Sequence, residues 1–371
     1  MSETGRLLRT FLDLAALDSP SYHERAAADY VIRTLTEAGI SVTEDQAAVS
    51  IDGDTGNLIA RLPGNTQDNP ILFSAHLDTV EPGRGIEPVV RDDYIVSAGP
   101  TVLGADDKAG VAVIVEMLLR LTESDLPHGP ITAIFTVAEE VGLIGAQALD
   151  YSDWQADFGF VFDEGGPVGR ITSQAPYQDH FGCKFTGRAA HAGLEPEAGR
   201  SAIAAAAAAL TNMRLGRLDD ETTANIGVIK GGTASNVVPA EAEISGEARS
   251  HSVAKLAAQV EHMSEACAEA AKATGVAHEI TVRRLYEGFD LAAGHAAVAR
   301  ASAAVLAAGY KPVIGKSGGG SDTNIFNAHG IAAVNIGVGY EKVHTPDERL
   351  PVRALNDALN VALRLAAGEA R

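Results

Sequence analysis

Cysteine is scarce in this sequence of 371 residues, which contains only Cys183 and Cys267. Two cysteines are too few for a disulfide framework, and neither has a partner at the spacing of a metal-ligand motif. We therefore interpret both as reduced residues that contribute to packing.

Basic residues are also in short supply. Lys and Arg total 29 against 49 Asp and Glu, which gives a formal net charge of −20. Nucleic acids and anionic membranes are bound by clustered Lys and Arg that displace counterions, so the sequence predicts neither as a partner. Such a charge indicates solubility or a salt-rich cytoplasm more than an acidic binding site, although some of the carboxylates are candidates for holding metal.

Long apolar runs are missing too. Residues 1–35 mix charged and apolar side chains at helical spacing, which predicts one or two amphipathic helices and neither a signal peptide nor a transmembrane helix. A cytoplasmic location follows as the default prediction. The length predicts about two domains, and 46% hydrophobic residues are enough for buried cores.

The first half of the chain alternates apolar strands with helical spacing. This alternation predicts an α/β fold with a mixed, mostly parallel sheet covered by helices on both faces. The predicted strands end close to acidic or imidazole side chains, and the carboxyl ends of such strands face the ligand crevice. The strands are predicted at residues 57–62, 70–75, 131–137 and 158–162, with a helix at 108–121.

The pattern changes after about residue 175, where two helices alternate with four strands in the order βαββαβ. This order is typical of a small ferredoxin-like α+β domain with two helices on one face of its sheet. We predict that residues 176–287 form an inserted domain, and that residues 1–175 and 288–371 form the α/β domain. The predicted strands are 180–187, 223–229, 240–250 and 277–286, and the helices are 200–213 and 253–274.

Two adjacent carboxylates, Asp106 and Asp107, stand between small residues just before the helix predicted at 108–121. They are expected in a strand-to-helix loop. Asp106 is a candidate for a carboxylate shared by two metal ions. The alternative is an N-cap, in which an Asp side chain accepts backbone N–H bonds at a helix start.

His76 and Asp78 follow the strand predicted at 70–75. Residues two apart point to the same face of an extended strand, so Asp78 can accept a hydrogen bond from the imidazole nitrogen that a metal does not use. The alternative is an ordinary polar strand end.

Glu139 and Glu140 follow the strand predicted at 131–137. Neighbouring carboxylates repel each other unless a cation separates their roles, in which case one binds metal and the other accepts a proton. The alternative is a solvated acidic turn.

The candidate ligands together comprise two imidazoles and three carboxylates. Their charge nearly balances two divalent ions and a hydroxide, as a buried site requires. The donor set suits zinc, with manganese or cobalt as alternatives because no thiolate selects strictly for zinc. The ligands are His76, Asp106, Glu140, Asp163 and His344.

Four segments resemble motifs of the dizinc exopeptidase family that includes peptidase T, aminoacylases and the glutamate carboxypeptidases. They are residues 74–79, 104–110, 138–142 and 343–346. The form Gly-Ala-Asp-Asp-Lys-Ala-Gly at 104–110 is most similar to peptidase T-like members.

The resemblance implies a specific role for each candidate residue. His76 and Asp163 would bind one metal, Glu140 and His344 the other, and Asp106 both. Glu139 would be the general base, and Asp78 would orient His76. The resemblance also implies a cis peptide bond after Asp106.

The inserted domain also carries segments that resemble the family. Residues 187–193 are similar to a lid motif whose histidine, here His191, stabilises the oxyanion. Without the resemblance, an isolated histidine in a strand-end loop is more often structural. Asn236 and Arg249 match lid residues that bind the substrate backbone and a carboxylate, which the Arg fork suits, although a surface ion pair is the alternative for Arg249. Gly319 lies in a Gly-rich turn that could be taken for a phosphate loop, but the Gly-Lys-Ser/Thr of such a loop does not follow it. We expect this turn to line the substrate instead.

The activity that the resemblance implies is hydrolysis of peptide bonds by a water that bridges two metals. The expected substrate is a short peptide with a free N-terminus, as for a tripeptide aminopeptidase, and a homodimer through the lid domain is expected. A carboxypeptidase, a dipeptidase or an N-acyl-amino-acid deacylase of the same family remains an alternative. A non-catalytic binding protein is disfavoured because every ligand and base position is filled.

Overall fold

The computed structural model describes residues 3–152 and 154–367. The described residues divide into two compact units. The first comprises the chain up to Gln174, Asp290–Ser317 and the chain from Ser321 onward, and the second comprises Ala175–Phe289 and Gly318–Gly320.

The strands of the described residues are numbered in chain order. They are β1 (Ser41–Glu44), β2 (Leu58–Leu62), β3 (Ile71–His76), β4 (Pro88–Arg91), β5 (Tyr94–Ser97), β6 (Ile131–Thr136), β7 (Phe158–Glu164), β8 (Arg170–Ala175), β9 (Tyr177–Thr186), β10 (Gly216–Arg217), β11 (Thr222–Gly231), β12 (Glu241–Ser250), β13 (Ala277–Tyr286), β14 (Phe289–Asp290), β15 (Val313–Lys316), β16 (Ala332–Gly337) and β17 (Arg349–Pro351).

The helices are numbered in the same way. Within residues 3–152 and 154–367, no helix is both long enough and apolar enough to cross a bilayer. The helices are α1 (Glu3–Ala15), α2 (Arg25–Glu37), α3 (Ala47–Ile51), α4 (Ala105–Thr122), α5 (Ile144–Ala148), α6 (Ala202–Asn212), α7 (Val253–Thr274), α8 (Ala296–Ala307), α9 (Asp322–Ala328) and α10 (Val352–Ala367), with a 3₁₀ turn at Pro196–Ala198.

A nine-stranded mixed sheet forms the centre of the first unit. Its order is β1–β2–β6–β3–β7–β16–β8–β14, and β15 pairs with β8. The central pairs β6–β3, β3–β7 and β7–β16 are parallel, whereas β1–β2, β2–β6 and β16–β8 are antiparallel. The carboxyl ends of β3, β6, β7 and β16 therefore lie along one edge of the sheet.

Helices cover both faces of this sheet, and alternate residues along a strand contact the helices of opposite faces. Ile71, Phe73 and Ala75 of β3 belong to the core cluster that includes residues of α1, α2, α4, α8 and α10. Leu72 belongs to a second cluster, with Trp154 and with Phe326 of α9. The predicted parallel sheet with helices on both faces is thereby confirmed, because the period of two along a strand assigns its side chains to opposite faces.

The second unit contains a five-stranded sheet with two helices. Its order is β10–β11–β12–β9–β13, and β9 pairs antiparallel with both β12 and β13. Apolar residues of β9 and β12 form one core with α6 and α7. The predicted βαββαβ order is confirmed, with the two-residue strand β10 added between α6 and β11.

The sequence did not predict helix α9, which follows the Gly-rich turn at 318–320. This helix has only seven residues, so it shows no helical repeat of apolar positions. Its start is fixed by a capping box between Ser321 and Asn324. The usual sequence signal for this box has Glu or Gln at the third position, and Asn324 does not match it.

We expect Leu14→Ala to destabilise the first unit without touching any candidate site residue. Leu14 is fully buried in the core cluster, so its truncation leaves a cavity that costs about 2–5 kcal/mol. Thermal unfolding followed by circular dichroism would measure the loss. Val49 is 82% exposed, and Val49→Ala serves as a control that should leave the unfolding temperature near the wild-type value.

Candidate metal centre

Four strand ends of the first unit carry the predicted ligand residues. His76 is the last residue of β3, and Asp163 lies near the end of β7. Glu140 follows β6, and His344 follows β16. Asp106 enters from the start of α4, so one sheet edge assembles side chains that are far apart in the sequence.

Asp106 lies between the two imidazoles. Its Oδ1 is 3.3 Å from Nε2 of His76, and its Oδ2 is 3.3 Å from Nε2 of His344. Nε2 of His76 is 3.8 Å from Asp163 Oδ1, and Nε2 of His344 is 3.1 Å from Glu140 Oε1. Each oxygen of Asp106 thus faces one His–carboxylate pair, which is the arrangement that a carboxylate shared by two cations requires.

Two overlapping groups of donor atoms in this cluster lie close enough to share a metal ion. One consists of His76, Asp106 and Glu140, and the other of His76, Asp107 and Asp163. Within each group the donor atoms lie within 4.8 Å of one another. The chain therefore contains a cluster of residues that could hold a metal ion.

Several carboxylates of the cluster are buried close to each other. Burial raises the pKa of Glu139, of Asp163 and of Asp107, and the negative charges of neighbouring carboxylates add to the effect. Oδ1 of Asp107 is buried and has no hydrogen-bond partner among the described residues. Buried charges are tolerated only when they are paired, so this donor set fits divalent cations.

The carboxylates favour protonation of the two imidazoles, and a metal ion bound at Nε2 would displace that proton. Burial disfavours their charged form, but hydrogen bonds to Asp106 and Asp78 hold the pKa of His76 well above its usual range. Hydrogen bonds to Asp106 and Glu140 raise the pKa of His344 to about 10. Despite its burial, Asp106 has a pKa well below its usual range because both imidazoles bond to it.

Asp78 connects the loops of His76 and Glu139–Glu140. Its Oδ1 lies 3.4 Å from Nδ1 of His76, while its main-chain carbonyl oxygen is closer to that nitrogen, at 3.0 Å. Its carboxylate also accepts the backbone N–H groups of Glu139 at 3.0 Å and of Glu140 at 3.2 Å. Asp78 thus fixes the glutamate loop as well as the imidazole, a role that the His-x-Asp spacing did not reveal.

The segment Ser19–Glu24, which sequence analysis did not single out, bonds to both of these loops. The Ser19 hydroxyl donates to the carbonyl oxygen of Leu77 at 2.8 Å. The Ser21 hydroxyl donates to Asp78 Oδ2 at 2.7 Å. Glu24 is fully buried, and its Oε1 accepts the N–H of Ala138 at 2.9 Å.

Tyr340 is a further residue that the sequence did not single out. Its side chain is buried, and its hydroxyl donates to Asp163 Oδ1 at 3.1 Å and to Asp106 Oδ1 at 3.3 Å. The only signal was its position in the segment 339–344 that leads to His344. A hydroxyl shared by two candidate ligands fixes the orientation of both.

The loop before α4 does not use Asp106 or Asp107 as an N-cap. The carboxylate of Asp106 contacts the two imidazoles. Oδ2 of Asp107 accepts the N–H of His76 at 3.2 Å, and its Oδ1 has no hydrogen-bond partner among the described residues, so neither carboxylate caps the helix. Asp106 and Asp107 have non-helical backbone angles, and the peptide bond between them is cis, as the resemblance implied. The N-cap alternative is therefore wrong, and both carboxylates remain available to the cluster.

Gly110 explains how α4 approaches β7 so closely. A Cβ at this position would lie 2.1 Å from the carbonyl oxygen of Phe162 and 2.5 Å from Oδ1 of Asp107. Real Cβ atoms do not approach other atoms this closely, so a residue without a side chain is required here. Close packing of the helix against the strand brings Asp106 near Asp163.

The second unit contains the other predicted site residues. His191 and Asn236 are exposed and lie on adjacent segments, since the N–H of Ala192 donates to the carbonyl oxygen of Asn236 at 3.0 Å. Nδ1 of His191 accepts the N–H of Gly193 at 3.1 Å. This contact occupies Nδ1 of the ring.

Arg249 and Gly319 lie together in the second unit. Nε and Nη2 of Arg249 donate to Glu247 at 2.8 and 2.9 Å, and Nη1 donates to the hydroxyl of Tyr286 at 3.4 Å. A Cβ on Gly319 would lie 3.5 Å from Nη1. Arg249 therefore makes the ion pair considered as an alternative, and its Nη1 faces the Gly-rich turn.

The sequence profile of peptidase family M20/M25/M40 matches residues 72–368. The chain belongs to this family. The aminopeptidase PepT of Bacillus cereus, whose crystal structure is known, is 42% identical to this peptidase, with a TM-score of 0.89 over 98% of each chain. A tripeptidase of Staphylococcus aureus is 39% identical, with a TM-score of 0.93 over 98% of each chain. The uncharacterized protein YqjE of Bacillus subtilis is 44% identical over 355 residues, 96% of each chain.

These similarities confirm three predictions. The peptidase resembles PepT-like members of the family, its fold class is the one predicted, and it is a hydrolase of the peptidase type. The assignment of individual ligands, base and substrate-binding residues stays a prediction.

We expect the M20-family peptidase to lose metal when His344 is replaced by Ala, because this imidazole contacts both Asp106 and Glu140. The carboxylate of Glu139 makes neither of these contacts, so Glu139→Ala should keep a zinc content near that of the wild type and lose turnover. Elemental analysis after dialysis against zinc would measure both. Equal loss of metal in the two variants would contradict this division between ligand and base.

Proposed function

We propose that this peptidase is a metal-dependent aminopeptidase that removes the N-terminal residue from tripeptides. The convergence of two imidazoles and two further carboxylates on Asp106, beside the buried Glu139, carries this proposal. The PepT aminopeptidase of Bacillus cereus and the tripeptidase of Staphylococcus aureus support the choice of substrate, since each matches this chain over nearly its full length.

The proposed ligands of two divalent cations are the five clustered side chains. His76 and Asp163 would hold one cation, Glu140 and His344 the other, and Asp106 would touch both. Zinc is the proposed ion, with manganese or cobalt as alternatives, because the donors are imidazoles and carboxylates without a thiolate. When bound, the cations supply Lewis acidity that polarises a carbonyl and lowers the pKa of water.

Glu139 is the proposed general base. It is 8% exposed, it adjoins the proposed ligand Glu140, and its backbone N–H is held by Asp78. In the reaction, a C–O bond forms from water and the C–N bond of the substrate breaks. Glu139 accepts the proton of the attacking water and returns it to the departing amine nitrogen.

The second unit is proposed to serve as the lid. His191 would stabilise the oxyanion, Asn236 would bind the substrate backbone, and Arg249 with Gly319 would bind the substrate carboxylate. Nη1 of Arg249, which faces Gly319, is the atom proposed for that carboxylate because Glu247 already binds Nε and Nη2. A role of this unit in a homodimer, and a cytoplasmic location for the protein, stay predictions.

A hydrolysis panel tests the proposed substrate. We expect the zinc-loaded protein to cleave free tripeptides, and to cleave N-blocked tripeptides, dipeptides and N-acetyl amino acids at least about 100-fold more slowly, because a lost hydrogen bond to a charged group costs up to about 3 kcal/mol. Removal of metal with a chelator should abolish cleavage, and added zinc should restore it. Chromatography of the released amino acids would identify the peptide end that is cut.

Other outcomes of this panel would correct the proposal in defined ways. Release of the C-terminal residue from blocked tripeptides would indicate a carboxypeptidase, and cleavage of acetyl amino acids alone would indicate a deacylase. Undiminished cleavage after removal of metal would refute the metal-dependent mechanism.

His191→Ala tests the proposed role of the second unit. A group that acts on the transition state lowers kcat more than it changes KM, so we expect a fall in kcat of about 100-fold or more with KM nearly unchanged. Steady-state kinetics on a tripeptide would measure both. An unchanged kcat would place His191 outside the chemistry.

A further inference from the structure

We propose that Glu348 is a positioning residue for the metal centre, because its carboxylate holds the loop of Asp106 next to the loop of His344. This inference rests on the proposed function, in which Asp106 and His344 contact the same cation. It concerns a residue that touches neither cation nor substrate and acts through Asp106.

The carboxylate of Glu348 accepts three backbone N–H groups of one short loop. Its Oε2 accepts those of Leu103 and Gly104, each at 2.8 Å, and its Oε1 accepts that of Asp106 at 3.0 Å. Glu348 is 2% exposed, so water does not compete for these contacts. One side chain therefore binds the main chain at both ends of the short segment 103–106.

Glu348 and His344 belong to one closed loop. Glu341 and Arg349 close its base through two backbone hydrogen bonds of 2.9 and 3.1 Å, and their side chains form an ion pair. Within the loop, the N–H of Glu348 donates to the carbonyl oxygen of Thr345 at 3.0 Å. The residue that holds the Asp106 loop is thus fixed within the same closed segment as the imidazole of His344.

The two loops meet at the shared carboxylate. Oδ2 of Asp106 lies 3.3 Å from Nε2 of His344. A cation placed between these atoms needs both within about 2.0–2.2 Å of itself, which leaves little tolerance for movement of either loop. The bonds from Glu348 set this spacing, because they tie the backbone of Asp106 to the loop of His344.

Loss of the Glu348 carboxylate would leave three backbone N–H groups without their acceptor. A buried donor without a partner is costly, so the loop would shift to find water or another acceptor. Changes to residues that orient metal ligands in this way lower metal affinity by about 10–100-fold. The expected effect is therefore on metal affinity, and on turnover only through lost metal.

Two variants of Glu348 form a graded test. Glu348→Gln keeps the size of the side chain and one acceptor oxygen, so it can satisfy at most two of the three N–H groups. Glu348→Ala can satisfy none. Asp347→Asn is the matched control, because Asp347 is the neighbouring carboxylate and its side chain is 80% exposed. Leu14→Ala is the control for a loss of stability alone.

The measurement is zinc affinity by chelator competition. It is made at a temperature at which circular dichroism shows that each variant is folded. We expect affinity to fall about tenfold in Glu348→Gln and further in Glu348→Ala. Asp347→Asn and Leu14→Ala should bind zinc like the wild type, although Leu14→Ala unfolds at a lower temperature. Excess zinc should restore turnover to Glu348→Gln, whereas Glu139→Gln should stay inactive.

Wild-type zinc affinity in both Glu348 variants would overturn this inference while leaving the proposed function intact. A wild-type protein that binds no zinc would overturn both. If Glu348→Ala does not fold, Glu348→Gln alone decides, and an affinity equal to that of Asp347→Asn would count against the role of Glu348.

Discussion

The crowding of negative charge at one sheet edge is the constraint on which the rest of this structure depends. Asp106, Asp107, Glu139, Glu140 and Asp163 lie close together and are largely withdrawn from water. Like charges in such a place repel each other and favour protonation. The fold opposes this repulsion by directing the imidazoles of His76 and His344 and the backbone N–H of His76 at the carboxylates, and divalent cations bound there would balance the negative charge. The parallel strands make this arrangement possible, because the sheet holds their carboxyl ends at fixed distances from one another.

The parts of the molecule that the sequence predicted are those that local periodicity encodes. The run Ile71–His76 is apolar and short, and the structure buries all of it as β3. His76 and Glu140 could be grouped because strand ends in a parallel sheet share one edge, so distance along the chain becomes irrelevant there. The βαββαβ order of the second unit could be predicted because its elements are long and regular.

The residues that sequence analysis missed act through long-range contacts with backbone groups. Glu348 lies 245 residues from Leu103, whose N–H it accepts, and Glu24 lies 114 residues from Ala138. The backbone N–H group is chemically the same in almost every residue. A pattern of side chains therefore does not indicate which backbone N–H a distant carboxylate will bind. Tyr340 was missed for a related reason, because a buried tyrosine has the same local pattern whether its hydroxyl meets two aspartates or none.

The contacts of Ser21 and Glu24 bear on where this enzyme's catalytic domain begins. The family profile starts at residue 72, which includes every proposed ligand but excludes the segment Ser19–Glu24. A protein trimmed to the profile would retain Asp78 and Ala138 without the hydroxyl and carboxylate that bond to them. The part of the chain that matches the family profile is therefore smaller than the part whose contacts hold the site together. Comparisons of activity between relatives should be made on proteins that include their N-terminal helices.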